Sequence, residues 1–169
     1  MTTIPPAALS LAGFALAHAA WSLSDCEDGD LLSPLAIVEE HDGARRLLRF
    51  DAETQEEAII AGRAAMRDAS ATSAAWAFAR EGAWRAMGSE GAGDVLAIDI
   101  WAQGMTGVAT LMQPCERARR GARFRIGGAP TVVVGDRLLE REAAHAIAAE
   151  IVSGVSAHAI VAALWPSWT

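Results

Sequence analysis

The sequence predicts an α+β fold, a mainly antiparallel sheet of about five to six strands covered by helices, with alanine-rich helices towards both ends of the chain. Three observations carry this. Strand-like alternation comes in runs, over residues 35–50 and again over 73–116, and not in strict strand–helix alternation. Asp42-Gly43 is a hairpin dipeptide inside the first run. Long apolar stretches with helical spacing flank the runs at residues 6–24 and 137–164.

Pro5 and Pro6 suit a helix start, and the stretch they open runs to about Ser24. Leu9, Leu16 and Leu23 form one stripe, while Leu11, Phe14, His18 and Trp21 fall nearly opposite. A helix apolar on two sides needs two covers, either the sheet and the C-terminal helix or the sheet and a second subunit. No basic residue precedes this stretch and its flank is acidic (Asp25, Glu27, Asp28, Asp30), so a buried helix of a cytoplasmic protein is expected over an export signal or a membrane span.

In the first strand run, a two-residue type I′ turn at Asp42-Gly43 sets Glu40 opposite Arg45, Glu39 opposite Arg46, Val38 opposite Leu47 and Ile37 opposite Leu48. Leu35, Ile37, Leu48 and Phe50 then share the core face. Thr54 and Glu57 make a capping box for a helix whose stripe is Ile59, Gly62, Met66 and Ala69, and Gly62 lets it approach a sheet. Strands follow over 73–85, 94–103 and 108–116, with a glycine-rich loop at 86–93, a turn at 104–107, and Pro114 marking an edge or bulge. A short pair is expected over 122–127 and 131–135. The final helix should bend or break at Ser153-Gly154, with Ser156 free to cap a new one.

The chain has 169 residues, 52% hydrophobic and 21% charged, with a net charge of −7. Thirty-eight residues are alanine; lysine, asparagine and tyrosine are absent, so every Lys/Arg cation is an arginine. This composition suits one domain over residues 1–169. Residues 1–57 sum to −8 and residues 116–125 to +4, and so short a basic cluster argues against nucleic-acid binding. Cys26 and Cys115, far apart and without CxxC spacing, read as reduced structural thiols.

Chemical constellations are sparse. Glu142 and His145 give a single Glu-x-x-His, where a carboxylate di-metal bundle needs two and two further glutamates; no metal and no cofactor are predicted. His18 and His158 read as core histidines bonded to backbone carbonyls. There is no GxSxG and no cysteine-enzyme signature. Asp99, with Trp101 and Ala97 on its side of a strand and Arg80 or Arg85 as its natural partner, defines a pocket candidate: Arg80, Asp99 and Trp101. Arg117, Arg119, Arg120, Arg123 and Arg125 form a candidate anion-binding cluster, with solvated surface and protein–protein pairing as its other uses. No resemblance to a known family extends beyond such generic features. The leading functional expectation is a self-associating interaction or ligand-binding module, a twofold homodimer whose further partner is an anionic small molecule or a basic protein. Its rivals are a small-molecule enzyme at the Asp99 pocket and an acidic inhibitor using residues 25–57.

Overall fold

The computed structural model describes residues 4–27, 29–84, 93–119, 121–135, 137–139 and 141–169, with side chains of the last helix pair from residue 145 onward. Among these residues are four helices and eight strands: α1 (Pro6–Ser24), β1 (Leu35–Glu39), β2 (Arg45–Arg49), α2 (Gln55–Ala69), β3 (Ala75–Trp84), β4 (Gly93–Ala102), β5 (Ala109–Glu116), β6 (Arg125–Ile126), β7 (Thr131–Val134), β8 (Arg137–Leu138), α3 (Arg141–Ser156) and α4 (Val161–Trp168). The expected α+β class holds, with more strands than the five to six anticipated. The two-residue β8 falls outside every expected strand, while β6 and β7 lie within the expected 122–127 and 131–135 but pair each with β5 and not with one another.

All strands lie in one antiparallel sheet of order β2-β1-β3-β4-β5-β7-β8, with β6 also paired to β5. Pro114, which has no N–H to donate, falls between the β5 residues paired to β7 and those paired to β6. The buried amide of Gln113 beside it bonds the carbonyls of Pro114, Gly127 and Gly128 at 3.1–3.3 Å and so replaces the missing rungs.

Because strand side chains alternate, the sheet has two covered faces. On one, Leu35, Ile37, Ala75, Ala77, Ala79, Ile98 and Ile100 meet α1, with α3 and α4 behind it. Alanines on both β3 and α1 keep helix and sheet close. On the other face Ala36, Val38, Trp76 and Phe78 meet α2 through Met66. The predicted capping box is present: Thr54 Oγ1 accepts from Glu57 N–H, and Glu57 accepts from Thr54 N–H. Gly62 lies against the Phe78 ring, which a side chain there would strike.

The two apolar sides of α1 are covered within the chain, by the sheet and by α3. The crossing is tight. A Cβ at Gly13 would meet the carbonyl of Ile151, and one at Gly154 the carbonyl of Ser10. The glycine expected to break the last helix therefore lies inside α3 as a contact point; the break comes later, over 157–160, where Ala157 and His158 close tight turns.

The hairpin corrects the expected register. Glu39 faces Arg45, Val38 faces Arg46, Ile37 faces Leu47 and Ala36 faces Leu48. The cause is the turn. A type I′ turn needs positive φ at both central residues, but only Gly43 has it (+84°). Gly43 N–H instead bonds Glu40 O at 3.0 Å and Glu40 N–H bonds Ala44 O at 2.8 Å, a three-residue loop with a glycine bulge, fixed by Asp42 Oδ1 accepting from Ala44 N–H. One residue of shift reverses faces. Leu35 and Ile37 look towards α1, Leu48 and Phe50 towards α2, and Leu47 is left exposed. The opposite charges still meet, now as Glu39–Arg45 at 2.8 Å and Glu40–Arg46 at 2.7 Å.

Candidate functional site: a cleft under helix α2

The face carrying Trp76, Phe78 and Arg80 on β3 carries Trp101, Asp99 and Ala97 on β4 and Thr110 on β5. Helix α2 covers the β1–β3 side of this face and stops short of β5, leaving a cleft of about 360 Å³. Its floor is Trp76 and Phe78, its far wall Thr110 and Val108, and its rim Arg63 and Arg67, one helical turn apart on α2. The Trp76 indole is fixed from both directions: its N–H bonds Ser70 Oγ at 2.8 Å, and Trp101 stacks on it at 6.3 Å between centroids.

Asp99 anchors the polar side. It is 7% exposed; Oδ1 accepts from Thr110 Oγ1 at 2.8 Å, and Oδ2 faces Arg80 Nη1 at 2.9 Å and Arg63 Nε at 3.6 Å. The Arg80 contact is off the line of a hydrogen bond. Nη1 is the one buried side-chain polar atom without an aligned partner among the described residues. With both carboxylate oxygens engaged, Asp99 organises cations and is not a bare base. Arg63 and Arg67 against the one Asp99 give the cleft lining a net positive charge.

Sequence reasoning placed Arg80, Asp99 and Trp101 together, and the structure brings them to one place: Asp99 lines the cleft, Arg80 holds it from the side and Trp101 backs Trp76. Arg85 lies outside the described residues, as does the glycine-rich loop up to residue 92, while Gly93 opens β4 opposite Trp84. Arg63 and Arg67 were missed. Their signal was available as an i, i+4 arginine pair beside the predicted apolar stripe of α2.

The arginine cluster disperses. Arg117 pairs with Glu81 at 3.3 Å and donates to the Asp30 carbonyl, tying the segment after α1 to the sheet. Arg119 lies 3.8 Å from Asp94, Arg123 and Arg125 are exposed, and Arg120 is outside the described residues. The nearby cleft of about 340 Å³ balances Arg117 and Arg119 with Asp94 and Glu116. Cys115 in its wall has its thiol pushed up to about 12, chiefly by burial and then by Asp94 and Glu81, so it stays protonated. Cys26 is also raised, first by burial.

His18 and His158 bond to each other, Nδ1 to Nε2 at 3.1 Å across 140 residues of sequence. His145 is exposed on α3, and among the described residues no group of three or more His, Cys, Asp or Glu could hold a metal ion. In the acidic first third, Glu39 and Glu40 are paired to arginines and Glu57 caps α2, while Asp30, Asp51 and Glu53 line an open cleft of about 280 Å³. Helix α1 is long and apolar enough to cross a membrane, yet Ala8, Leu11, Ala12, Ala15, Leu16, Ala19 and Ala20 are fully buried in the core. Comparison of the chain with protein-family models, with curated proteins and with solved structures returns no match.

Proposed function

We propose that this chain is a binding module for a small organic anion with a flat apolar body, held in the cleft between α2 and the sheet. The carrying observation is the pair Arg63 and Arg67 overhanging an aromatic floor of Trp76 and Phe78. An apolar cleft with a few convergent polar groups is the common form of a small-molecule site. Forked guanidinium groups recognise carboxylates by direction as well as charge. Arg63 is half exposed and only 3.6 Å from an Asp99 oxygen already facing Arg80, so an incoming carboxylate can recruit it without stranding Asp99.

The self-association expected from the sequence rested first on α1 needing a second cover, which α3 supplies within the chain. Among the described residues, a surface open to contact between copies lies along α3, α4 and their junction, where Val152, Ile160 and Leu164 are exposed. Light scattering across a concentration series measures that half of the expectation.

The cleft is tested by tryptophan fluorescence and calorimetry with an aromatic carboxylate and its neutral amide. Saturable binding of the acid is expected, weakened about tenfold or more by Arg63→Gln or Arg67→Gln, since a charge-assisted hydrogen bond contributes about 1.5–3 kcal/mol. Equal binding of acid and amide, or no saturation at millimolar ligand, would sink the proposal.

A further inference from the structure

A chain of four nitrogen groups joins α4 to the sheet edge: Val161 N–H to His158 Nδ1 at 3.3 Å, His158 Nε2 to His18 Nδ1 at 3.1 Å, and His18 Nε2 to Arg49 Nη2 at 3.2 Å. Both ends of this chain are donors. A backbone amide and a guanidinium can only give protons, and each neutral imidazole has one proton and one lone pair. Three links therefore face four N–H groups, and one link must set donor against donor.

Burial decides which link that is. Val161 is fully buried and its N–H, if stranded, would have no water to turn to, whereas Arg49 is exposed and can be solvated. His158 Nδ1 is thus the lone pair, His158 Nε2–H donates to His18 Nδ1, and His18 is left with its proton on Nε2. That proton points at Arg49. Both rings hold a single proton at neutral pH, since burial lowers His158 and lowers His18 to about 4. Ring packing fixes the orientation: Phe14 lies 5.0 Å and Trp21 5.9 Å from the His158 ring, and Trp21 is edge-on to His18 at 5.7 Å.

From this we infer that His18 Nε2–H and the Arg49 guanidinium form an oxyanion site at the α1–β2 edge, one oxygen of a phosphate or carboxylate entering between the two donors as the exposed Arg49 moves aside. Arg49 supplies charge, and His18 supplies a directed donor that carries no charge of its own. The site is separate from the cleft under α2, being built on residues of the opposite sheet face. Trp21 beside it offers an apolar edge to the ligand's body.

Imidazole nitrogen–proton correlation spectra of the intact protein at pH 7.5 read the tautomers directly. Both His18 and His158 are expected to be protonated on Nε2. Titration with inorganic phosphate, and separately with acetate, at ionic strength held constant with sodium chloride, should then move the His18 signals to a saturating limit. Exposed His41 should stay in place. Arg49→Gln, a surface change, should abolish saturation and keep the tautomers, and the stronger of the two probes identifies the oxyanion preferred. His18 found protonated on Nδ1 overturns the inference, because Arg49 would then have its acceptor. So does a linear, unsaturated drift equal in the wild type and Arg49→Gln, which would mean that water completes the link.

Discussion

Arg80 Nη1 and Asp99 Oδ2 lie 2.9 Å apart although the ladder sets neither opposite the other: Arg80 faces Ala97, and Asp99 faces Phe78. The pair is diagonal, and its two members are unequally supported. Asp99 keeps Thr110 and Arg63 if Arg80 is lost; Arg80, mostly buried, has no other ion-pair partner among the described residues. Asp99→Ala should therefore destabilise by about 3–5 kcal/mol, the range for stranding a buried charge, and Arg80→Met by clearly less. Urea midpoints of the two variants check the asymmetry, and equal losses would refute the supporting role of Thr110 and Arg63.

The α1–α3 crossing inverts the usual effect of glycine in a helix. In an exposed helix interior Gly→Ala gains about 1 kcal/mol. At Gly13 and Gly154 the new methyl would enter the carbonyls of Ile151 and Ser10, so each substitution should cost about 1–3 kcal/mol or more as the helices part. Thermal unfolding of Gly13→Ala and Gly154→Ala gives the sign at once. A higher midpoint in either would mean that the helices do not approach this closely.

Acid should weaken the fold through His18. Its folded value, about 4, lies below the ordinary 6.5, first because of burial, then because of Arg49 and His158. Between those values the unfolded chain takes up a proton that the native protein refuses, so this contribution is complete above about pH 6.5 and drains away as pH falls towards 4. His158 is shifted the same way. The difference in unfolding free energy between wild type and His18→Gln, measured from pH 7.5 down to 4.5, should narrow over that window; a pH-independent difference would contradict the assignment.

Gly43 holds the hairpin loop at a φ of +84°. Nothing crowds the position, so a side chain there meets only backbone strain. Gly43→Val should cost about 1–2 kcal/mol, and Asp42→Ala, which removes the bond to Ala44 N–H, about 1 kcal/mol. An unchanged melting temperature in Gly43→Val would be incompatible with the bulge.

Features that depend on a few neighbouring residues are legible in the sequence. The Thr54–Glu57 box, the close approach at Gly62 and the alternation around Trp76 and Ile98 belong to this kind. The hairpin register was not, because the two turn types differ in the φ of Asp42, a residue that suits both. Gly154 was misread because a glycine in a helical pattern looks the same whether it ends the helix or admits another backbone. The candidate site was half legible. Asp99, Arg80 and Trp101 sit on adjacent strands whose pairing follows from the strand pattern, whereas the rim arginines depend on where α2 settles and the His18–His158 contact on the fold of the whole chain.

The outer strands decide how the sheet ends. One edge is β2, with Arg45, Arg46 and Arg49 all exposed; the other is β8, only two residues long. An open sheet edge is a template on which another chain can add a strand, and charge or brevity at the edge is the common defence. Two β2 edges brought together would crowd their guanidinium groups, of which Arg45 and Arg46 are partnered by Glu39 and Glu40 and Arg49 has no carboxylate partner among the described residues, while β8 offers only two residues of ladder. Both ends of the sheet thus carry a guard against strand addition, and fibril formation, read by thioflavin fluorescence, is expected to rise when the β2 arginines are replaced by neutral residues.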